Sequence, residues 1–268
     1  MSMMAPEIGS YVPYYCSDQE LVRRWDAVAA AMKKAGVDYI VAGSQTDYIG
    51  QYVKWFTDFP TQSEYQAMVI FSQDKEMASI WSWGGVWDPA NPVPANVVPP
   101  TYAARGIARR WSRGLFSSFN YTCTYDAEIV VHELRGKGKI RVGLVGPAFM
   151  TIQACNHIAE HLPQAEIIDF TGEIDAIKAV KSEEELAILR DIAGQQDDVM
   201  RALKDYIRPG ISELDILTKM KHLIDAKASE NGIYKVGSNS FGAPAHPWHE
   251  HFHSKRVIEK GDTVTCLI

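Results

Sequence analysis

The stretch Ile177-Lys-Ala-Val-Lys-Ser-Glu-Glu-Glu185 marks the point where the chain changes its organisation. Ser182 and Glu185 have the spacing of a capping box, in which each side chain satisfies an unpaired backbone amide of the other residue. Three consecutive glutamates also place negative charge at the positive end of a helix dipole. A long helix is therefore predicted to start here. Its apolar face would consist of residues at helical spacing, namely Leu186, Leu189, Ala193, Met200, Leu203 and Ile207.

The sequence before this helix alternates between strand and helix patterns. Short apolar strands are predicted at 37–42, 67–72, 77–81, 140–145 and 166–169, and helices at 17–36, 101–119, 126–135 and 149–161. Such alternation is typical of an α/β domain. Because the composition shifts at Thr171-Gly172, we predict one domain over residues 1–172 and a second over residues 173–268.

The second domain should contain two helices and at least one buried strand. Arg208-Pro-Gly210 ends the long helix, and Ser212-Glu-Leu-Asp215 starts another capped helix that is expected to end at Gly232. The last six residues, 263–268, form an apolar strand in which the chain stops. Since a strand of this kind belongs inside a larger sheet, we expect the second domain to be truncated.

Composition excludes several classes of function. The chain has 268 residues, of which 46% are hydrophobic, and a net charge of −6, so no global field favours nucleic acid or an anionic membrane. No apolar run approaches the ~20 residues that span a bilayer, and the first residues lack the pattern of a signal peptide. The four cysteines are scattered, which is typical of reduced thiols, so a cytoplasmic location is expected.

The segment His246-Pro-Trp-His-Glu-His-Phe-His253 concentrates groups that titrate near neutral pH. His249, His251 and His253 alternate, so in a strand they would share one face, as in a three-histidine metal site. In a loop the same histidines could be proton-transfer groups or ordinary surface residues. Glu250 could act as a base if burial raised its pKa. Neighbouring candidates for substrate binding are Trp248, Asn239 and Arg256.

A group of arginines is predicted on the helix at 101–119. Arg105, Arg109 and Arg113 fall at helical spacing and would form one stripe. A solvated helix face is the default interpretation, and an anionic substrate or a partner subunit is the alternative.

The order of these motifs resembles the creatinase / Xaa-Pro aminopeptidase / prolidase family. The resemblance is carried by 177–185, by Arg208-Pro-Gly-Ile-Ser-Glu213, by Gly237-Ser-Asn239, by the histidine segment and by Arg256 to Asp262. In the leading domain it is carried by Arg24, by 35–38, by 47–49 and by 67–69. It implies an α/β N-terminal creatinase-type domain followed by the opening part of an α+β pita-bread catalytic domain. It also implies a homodimer in which the leading domain of one subunit helps to close the other's site.

The resemblance also implies which residues carry the chemistry. Metal-dependent members hold two divalent ions, and their first aspartate ligand lies six positions after the glycine of the Gly-Asp pair. Here that position is Leu267, which cannot ligate a metal. Creatinase also lacks this aspartate, hydrolyses a C–N bond without metal, and transfers the proton with an upstream histidine. Counting back eleven residues from Gly261 gives Glu250, which lies between His249 and His251.

Three histidines therefore remain candidates for the proton-transfer group. They are His249, His251 and His246, the last because a small residue precedes it as in creatinase. Creatinase also binds its substrate's carboxylate with an arginine of the leading domain. The matching stretch, 61–65, contains no arginine, so creatine is not the expected substrate.

The sequence thus favours a creatinase-like hydrolase that cleaves a C–N bond in a small amide or amidine and uses no metal cofactor. The first alternative is a metal-dependent Xaa-Pro dipeptidase or aminopeptidase with two ions such as Mn, Zn or Co. The others are a lyase acting on a small zwitterion and a non-catalytic peptide-binding module.

Overall fold

The structure is a computed structural model that describes residues 16–44, 51–58, 67–81, 93–94, 106–112, 125–227, 232–240, 242–243 and 254–268. The chain divides into two compact units between Ser182 and Glu183. Among the described residues, no helix is long and apolar enough to cross a membrane.

The first unit is built on one mixed sheet. The helices of this unit are α1 (Asp18–Ala35), α2 (Tyr52–Thr57), α3 (Tyr125–Leu134), α4 (Ile152–His161) and α5 (Thr171–Ala179). The strands are β1 (Tyr39–Ser44), β2 (Ala67–Ser72), β3 (Met77–Trp81), β4 (Val93–Pro94), β5 (Ile107–Ser112), β6 (Ile140–Val145) and β7 (Ala165–Asp169). Their order in the sheet is β4-β5-β3-β2-β1-β6-β7. The predicted α/β class is confirmed.

The sheet is parallel on one side of β1 and mixed on the other, where β3 and β5 are parallel neighbours. β1 pairs with β6 in parallel, and β6 pairs with β7 in parallel. β2 lies antiparallel to both β1 and β3. β1, β2 and β3 are therefore successive antiparallel neighbours, whereas β6 and β7 are parallel strands that follow the helices α3 and α4.

Helices cover both faces of this sheet and create two apolar layers. Successive residues of β1 point to opposite faces, so Ile40 packs in one layer and Val41 in the other. The layer that contains Ile40 also receives α1, α2 and α5, and the other receives α3 and α4. In the layer that contains Ile40, Gly143 of β6 permits Phe170 to pack closely on the sheet. A Cβ at position 143 would lie only 2.7 Å from the Cβ of Phe170.

The position of α5 explains why the first unit extends beyond residue 172. Ile174 is fully buried in the same layer as Ile40, and Ile177 packs against it. The shift in composition alone predicts a boundary at 172/173. The structure divides ten residues later because the apolar side of α5 belongs to the first core.

The prediction of a helix at 101–119 is wrong over the described part of this range. Residues 107–112 instead form β5, which pairs in parallel with β3. Ile107 and Trp111 are buried on one side of this strand, and the pairing with β3 outweighs the local helical spacing. Arg109 pairs with Glu133 at 3.0 Å and also with Glu76, so its charge is neutralised within the unit. Arg105 and Arg113 lie outside the described residues.

The second unit combines two helices with a two-stranded antiparallel ribbon. These elements are α6 (Glu183–Tyr206), α7 (Glu213–Asp225), β8 (Lys235–Asn239) and β9 (Thr263–Leu267). The predicted capping box at the start of α7 is confirmed, because Ser212 and Asp215 bond each other's backbone amides. The predicted apolar face of α6 is only partly buried. Leu203 is 1% exposed, whereas Leu189 and Met200 are 49% and 41% exposed.

Candidate functional site

All four predicted catalytic residues, and one of the three predicted substrate-binding residues, Trp248, lie outside the described part of the chain. These are His246, Trp248, His249, Glu250 and His251. Two predicted site residues are described, and they flank that segment on either side: Asn239 precedes it and Arg256 follows it. The candidate site is therefore built from the residues of the second unit that lead into and out of 244–253.

The entry to the segment is a tight turn after β8. The side-chain amide of Asn239 donates to the carbonyl oxygen of Ala243 at 3.0 Å. The backbone amide of Ala243 donates to the carbonyl of Ser240, also at 3.0 Å. Asn239 thus fixes the chain direction four residues beyond its own strand.

The exit from the segment lies against the start of α7. The amide of Glu213 donates to the carbonyl of Arg256 at 3.0 Å, and the amide of Ile258 donates to that of Ile211 at 2.8 Å. Ser212 and Val257 form an antiparallel bridge. Two motifs that are about 45 residues apart in sequence, Arg208 to Glu213 and Arg256 to Asp262, therefore lie side by side.

A buried polar network connects this exit with β8. One terminal nitrogen of Arg256 donates to Oδ2 of Asp262 and to Oγ of Ser238, both at 2.6 Å. The hydroxyl of Ser238 in turn donates to Oε1 of Glu213 at 2.5 Å. Glu213 and Ser238 are 4% and 5% exposed. Neither residue is predicted from the sequence as a site residue. The only sequence signal is that each lies within a motif that carries the family resemblance.

The hydrogen bonds of this network favour the ionised forms of Arg256 and Asp262. The hydrogen bond from Arg256 and the backbone amide of Glu259 lower the pKa of Asp262 below its ordinary value. The same bond to Asp262 raises the pKa of Arg256. Both groups are therefore ionised at neutral pH, and their hydrogen bond is charge-assisted.

The β8–β9 ribbon shows what surrounds Leu267. Val264 and Cys266 of β9 pack on the core of the unit, so Leu267 points to the opposite face. Its partner across the ribbon is Lys235. The neighbouring pair on the same face consists of Thr265 and Gly237. None of these side chains is a carboxylate or an imidazole, which are the ligands that divalent ions prefer. Among the described residues, Leu267 and its neighbours on this face of the ribbon thus offer no ligand of the kind that a divalent ion prefers.

Within the ranges that the structure describes, no group of three or more His, Cys, Asp or Glu side chains could hold a metal ion. Residues 244–253, with their four histidines, lie outside these ranges.

Comparison with known proteins gives relatives of one kind. No family model matches the chain. The chain is 28% identical over 201 residues to an uncharacterized hydrolase/peptidase, y4tL, of Sinorhizobium fredii (strain NBRC 101917 / NGR234), which covers 74% of this chain and 48% of that protein. The chain thus spans about half the length of this relative.

Solved structures with the same fold are peptidases. Dipeptidase PepE from Mycobacterium ulcerans matches with a TM-score of 0.64 at 17% identity, over 94% of this chain and 61% of that chain. The Xaa-Pro dipeptidase from Bacillus anthracis matches with a TM-score of 0.61 at 18% identity, over 92% of this chain and 60% of that chain.

These matches agree with the family resemblance that the sequence motifs carry. So do the α/β first unit and the elements α6, α7, β8 and β9 of the second unit. That the protein belongs to the creatinase branch of the family remains a prediction. The chain has the fold of the creatinase / Xaa-Pro aminopeptidase / prolidase family, from the leading α/β domain into the opening part of the pita-bread domain.

Proposed function

We propose that the whole protein is a hydrolase that cleaves a C–N bond in a small amide or amidine, with a histidine as the proton-transfer group. The observation that carries this proposal is the environment of Leu267. This residue stands where the resemblance implies the first metal-binding aspartate, and it pairs with Lys235. A protein of this fold that lacks that ligand needs protein groups to move the proton.

The proposed reaction balances with water as the only co-substrate. The oxygen of water bonds to the carbon of the amide or amidine, and a histidine near neutral pKa accepts the water proton. The C–N bond then breaks, and the histidine returns the proton to the leaving nitrogen. His249 and His251 are the first candidates for this role, followed by His246 and Glu250. Trp248 and Asn239 would orient the substrate.

A second candidate function is a metal-dependent Xaa-Pro dipeptidase or aminopeptidase, which the names of the solved structures favour. That function would place two divalent ions on ligands other than Leu267. A lyase acting on a small zwitterion and a non-catalytic peptide-binding module remain further alternatives. The homodimer and the cytoplasmic location also remain predictions.

A substrate panel separates these functions. We expect the full-length protein to release amine or ammonia from members of a set of small amides and amidines. It should leave Xaa-Pro dipeptides intact when no metal is added. Turnover of Xaa-Pro dipeptides alone would overturn the proposal in favour of the peptidase, and an unsaturated product from a zwitterion would favour the lyase. Peptide binding without turnover of any compound would favour the binding module.

A further inference from the structure

The β8–β9 ribbon has one face covered by the core of its own unit and a second face of different composition. Val236 and Ser238 point to the covered face, where Val236 belongs to the core cluster and Ser238 contacts Glu213. Since side chains alternate along a strand, the second face carries the other residues of both strands. These are Lys235, Gly237 and Asn239 of β8 and Thr263, Thr265 and Leu267 of β9.

The second face of the ribbon is positively charged. Lys235 is the one ionisable residue among its six, and its ammonium is protonated at neutral pH. The nearby carboxylates of Glu213 and Asp262 bond instead to Ser238 and Arg256 in the buried network. The six side chains would therefore favour an anionic or negatively polarised group as their ligand.

Lys235 is placed so that its ammonium can reach the positions of Leu267 and Thr265. It lies directly opposite Leu267 in the antiparallel pair, where Cβ atoms are about 5 Å apart. Thr265 is its diagonal neighbour, at roughly 7–8 Å, a separation that a long side chain spans. The ammonium has three N–H donors, so it can bind an oxygen of a ligand and also keep a contact within the protein.

Gly237 lies between Lys235 and Asn239 on this face and adds no side chain to it. Its backbone does not require a glycine, because its φ is not positive and the register of β8 with β9 is regular. A glycine inside a regular strand is typical of a place where a ligand or another part of the chain approaches closely. The residue at this position therefore agrees with a small group bound beside Lys235.

We propose that Lys235 binds the carbonyl oxygen of the substrate at this face and makes the protein select amides over amidines. The inference rests on the proposed function, because it takes the scissile bond to lie at the position of Leu267. It narrows the substrate class from an amide or amidine to an amide.

The two substrate classes differ in the charge that Lys235 would meet. When water adds to an amide, the electron pair of the C=O bond moves to the oxygen, which stays negative until the C–N bond breaks and the carbonyl forms again. The Lys235 ammonium stabilises this oxygen and keeps its own proton. An amidine, like the guanidinium of arginine, is a cation at neutral pH, and the addition of water develops no negative charge on its nitrogen. Lys235 therefore repels the amidine and gives its intermediate no stabilisation.

Chemical labelling of lysines tests the oxygen site without relying on activity. The full-length wild-type protein is treated with an amine-reactive reagent in sodium acetate, in acetamidinium chloride and in sodium chloride of equal ionic strength. Acetate should slow the labelling of Lys235 by about threefold or more, because a carboxylate that accepts from the ammonium keeps it protonated. Acetamidinium should have no effect. Lys260 is the internal control, since it is an exposed lysine in the turn before β9, and its labelling should be equal in all three salts.

Matched pairs of amide and amidine test the selectivity. The wild type should hydrolyse the amide with a kcat/KM about 100-fold higher than that of the amidine, because a like charge near the reacting carbon disfavours the cation. Lys235→Met keeps the length of the side chain without its charge and should reduce this preference by about tenfold or more. Lys235→Arg keeps the charge and should retain most of it. Lys260→Met should match the wild type.

The outcomes separate this inference from the function on which it rests. Equal labelling of Lys235 in acetate and in chloride would overturn the oxygen site, whatever reaction the protein catalyses. Slower labelling in acetate, in a protein that hydrolyses neither amides nor amidines, would support the site and contradict the proposed function. Hydrolysis of amidines as fast as of amides would overturn the selectivity and leave the proposed hydrolase in place.

Discussion

Glutamine at both His249 and His251 should lower kcat of the full-length protein by about 100- to 10,000-fold, the contribution that one positioned acid–base group makes. Glutamine keeps much of the size and polarity of histidine but cannot carry a proton near neutral pH. The loss should therefore appear in kcat, with binding largely retained. His222→Gln is the matched control, because His222 is an exposed histidine of α7, and it should retain wild-type kcat.

Single variants then identify the group. His249→Gln, His251→Gln, His246→Gln and Glu250→Gln are compared through the pH dependence of kcat/KM. The proton-transfer residue is the one whose replacement removes the limb of the profile near pH 6 to 7. Activity within about threefold of wild type in all four variants would show that the proton is moved elsewhere in the protein.

Alanine at Glu20 should lower the free energy of unfolding of the first unit by about 3–5 kcal/mol, the usual cost of breaking a buried ion pair. Glu20 is 4% exposed and accepts from Arg24 at 2.7 Å and from Arg23 at 2.8 Å. Arg24 is itself 7% exposed and also donates to the carbonyl of Trp55. Without the carboxylate, the buried guanidinium of Arg24 would lose its ion pair with Glu20. Native-state hydrogen exchange of the β1 amides in increasing urea measures this loss for the first unit alone.

The same carboxylate makes the stability of the first unit depend on pH. Burial by itself would raise the pKa of Glu20, but hydrogen bonds from Arg23, Arg24 and Ser182 outweigh it and lower the pKa from 4.5 to about 2. A pKa that is lower in the folded state gives stability above the unfolded pKa and loses it as the pH falls through the folded pKa. At about 1.4 kcal/mol per pKa unit, this difference amounts to about 3 kcal/mol.

Glu20→Gln isolates this effect. The variant should be less stable than wild type at pH 7, and the gap should close between about pH 5 and pH 2. Glu160→Gln serves as the control, since Glu160 is an exposed carboxylate on α4 of the same unit. A gap between wild type and Glu20→Gln that stays constant down to pH 2 would contradict the role given to the charge of Glu20.

The sequence predicted those elements whose signals are local. The strands predicted at 67–72, 77–81 and 140–145 coincide with β2, β3 and β6, because each is a short apolar run between turn residues. Ser212 was likewise identified as a helix cap, since the capping box is complete within four residues.

Features that depend on distant partners were missed. The spacing of Arg105, Arg109 and Arg113 is typical of a helix. The pairing of this segment with β3 has no signal in the local sequence, so the strand was not predicted. The contact of Ser238 with Glu213 joins residues 25 positions apart, and its contact with Arg256 joins residues 18 apart. Such pairs arise from the packing of α7 on the β8–β9 ribbon, which no local pattern contains.

The proposed hydrolase moves its protons with side chains and needs no metal ligand at the position of Leu267. To separate this chemistry from metal-dependent hydrolysis, initial rates of C–N hydrolysis by the full-length protein are measured after exhaustive treatment with a chelator and again after addition of Mn²⁺. We expect the chelated protein to keep its rate within about twofold, since a histidine base does not depend on a metal-lowered pKa of water. Loss of the rate in chelator, with recovery on addition of Mn²⁺, would show instead that hydrolysis depends on a bound metal ion.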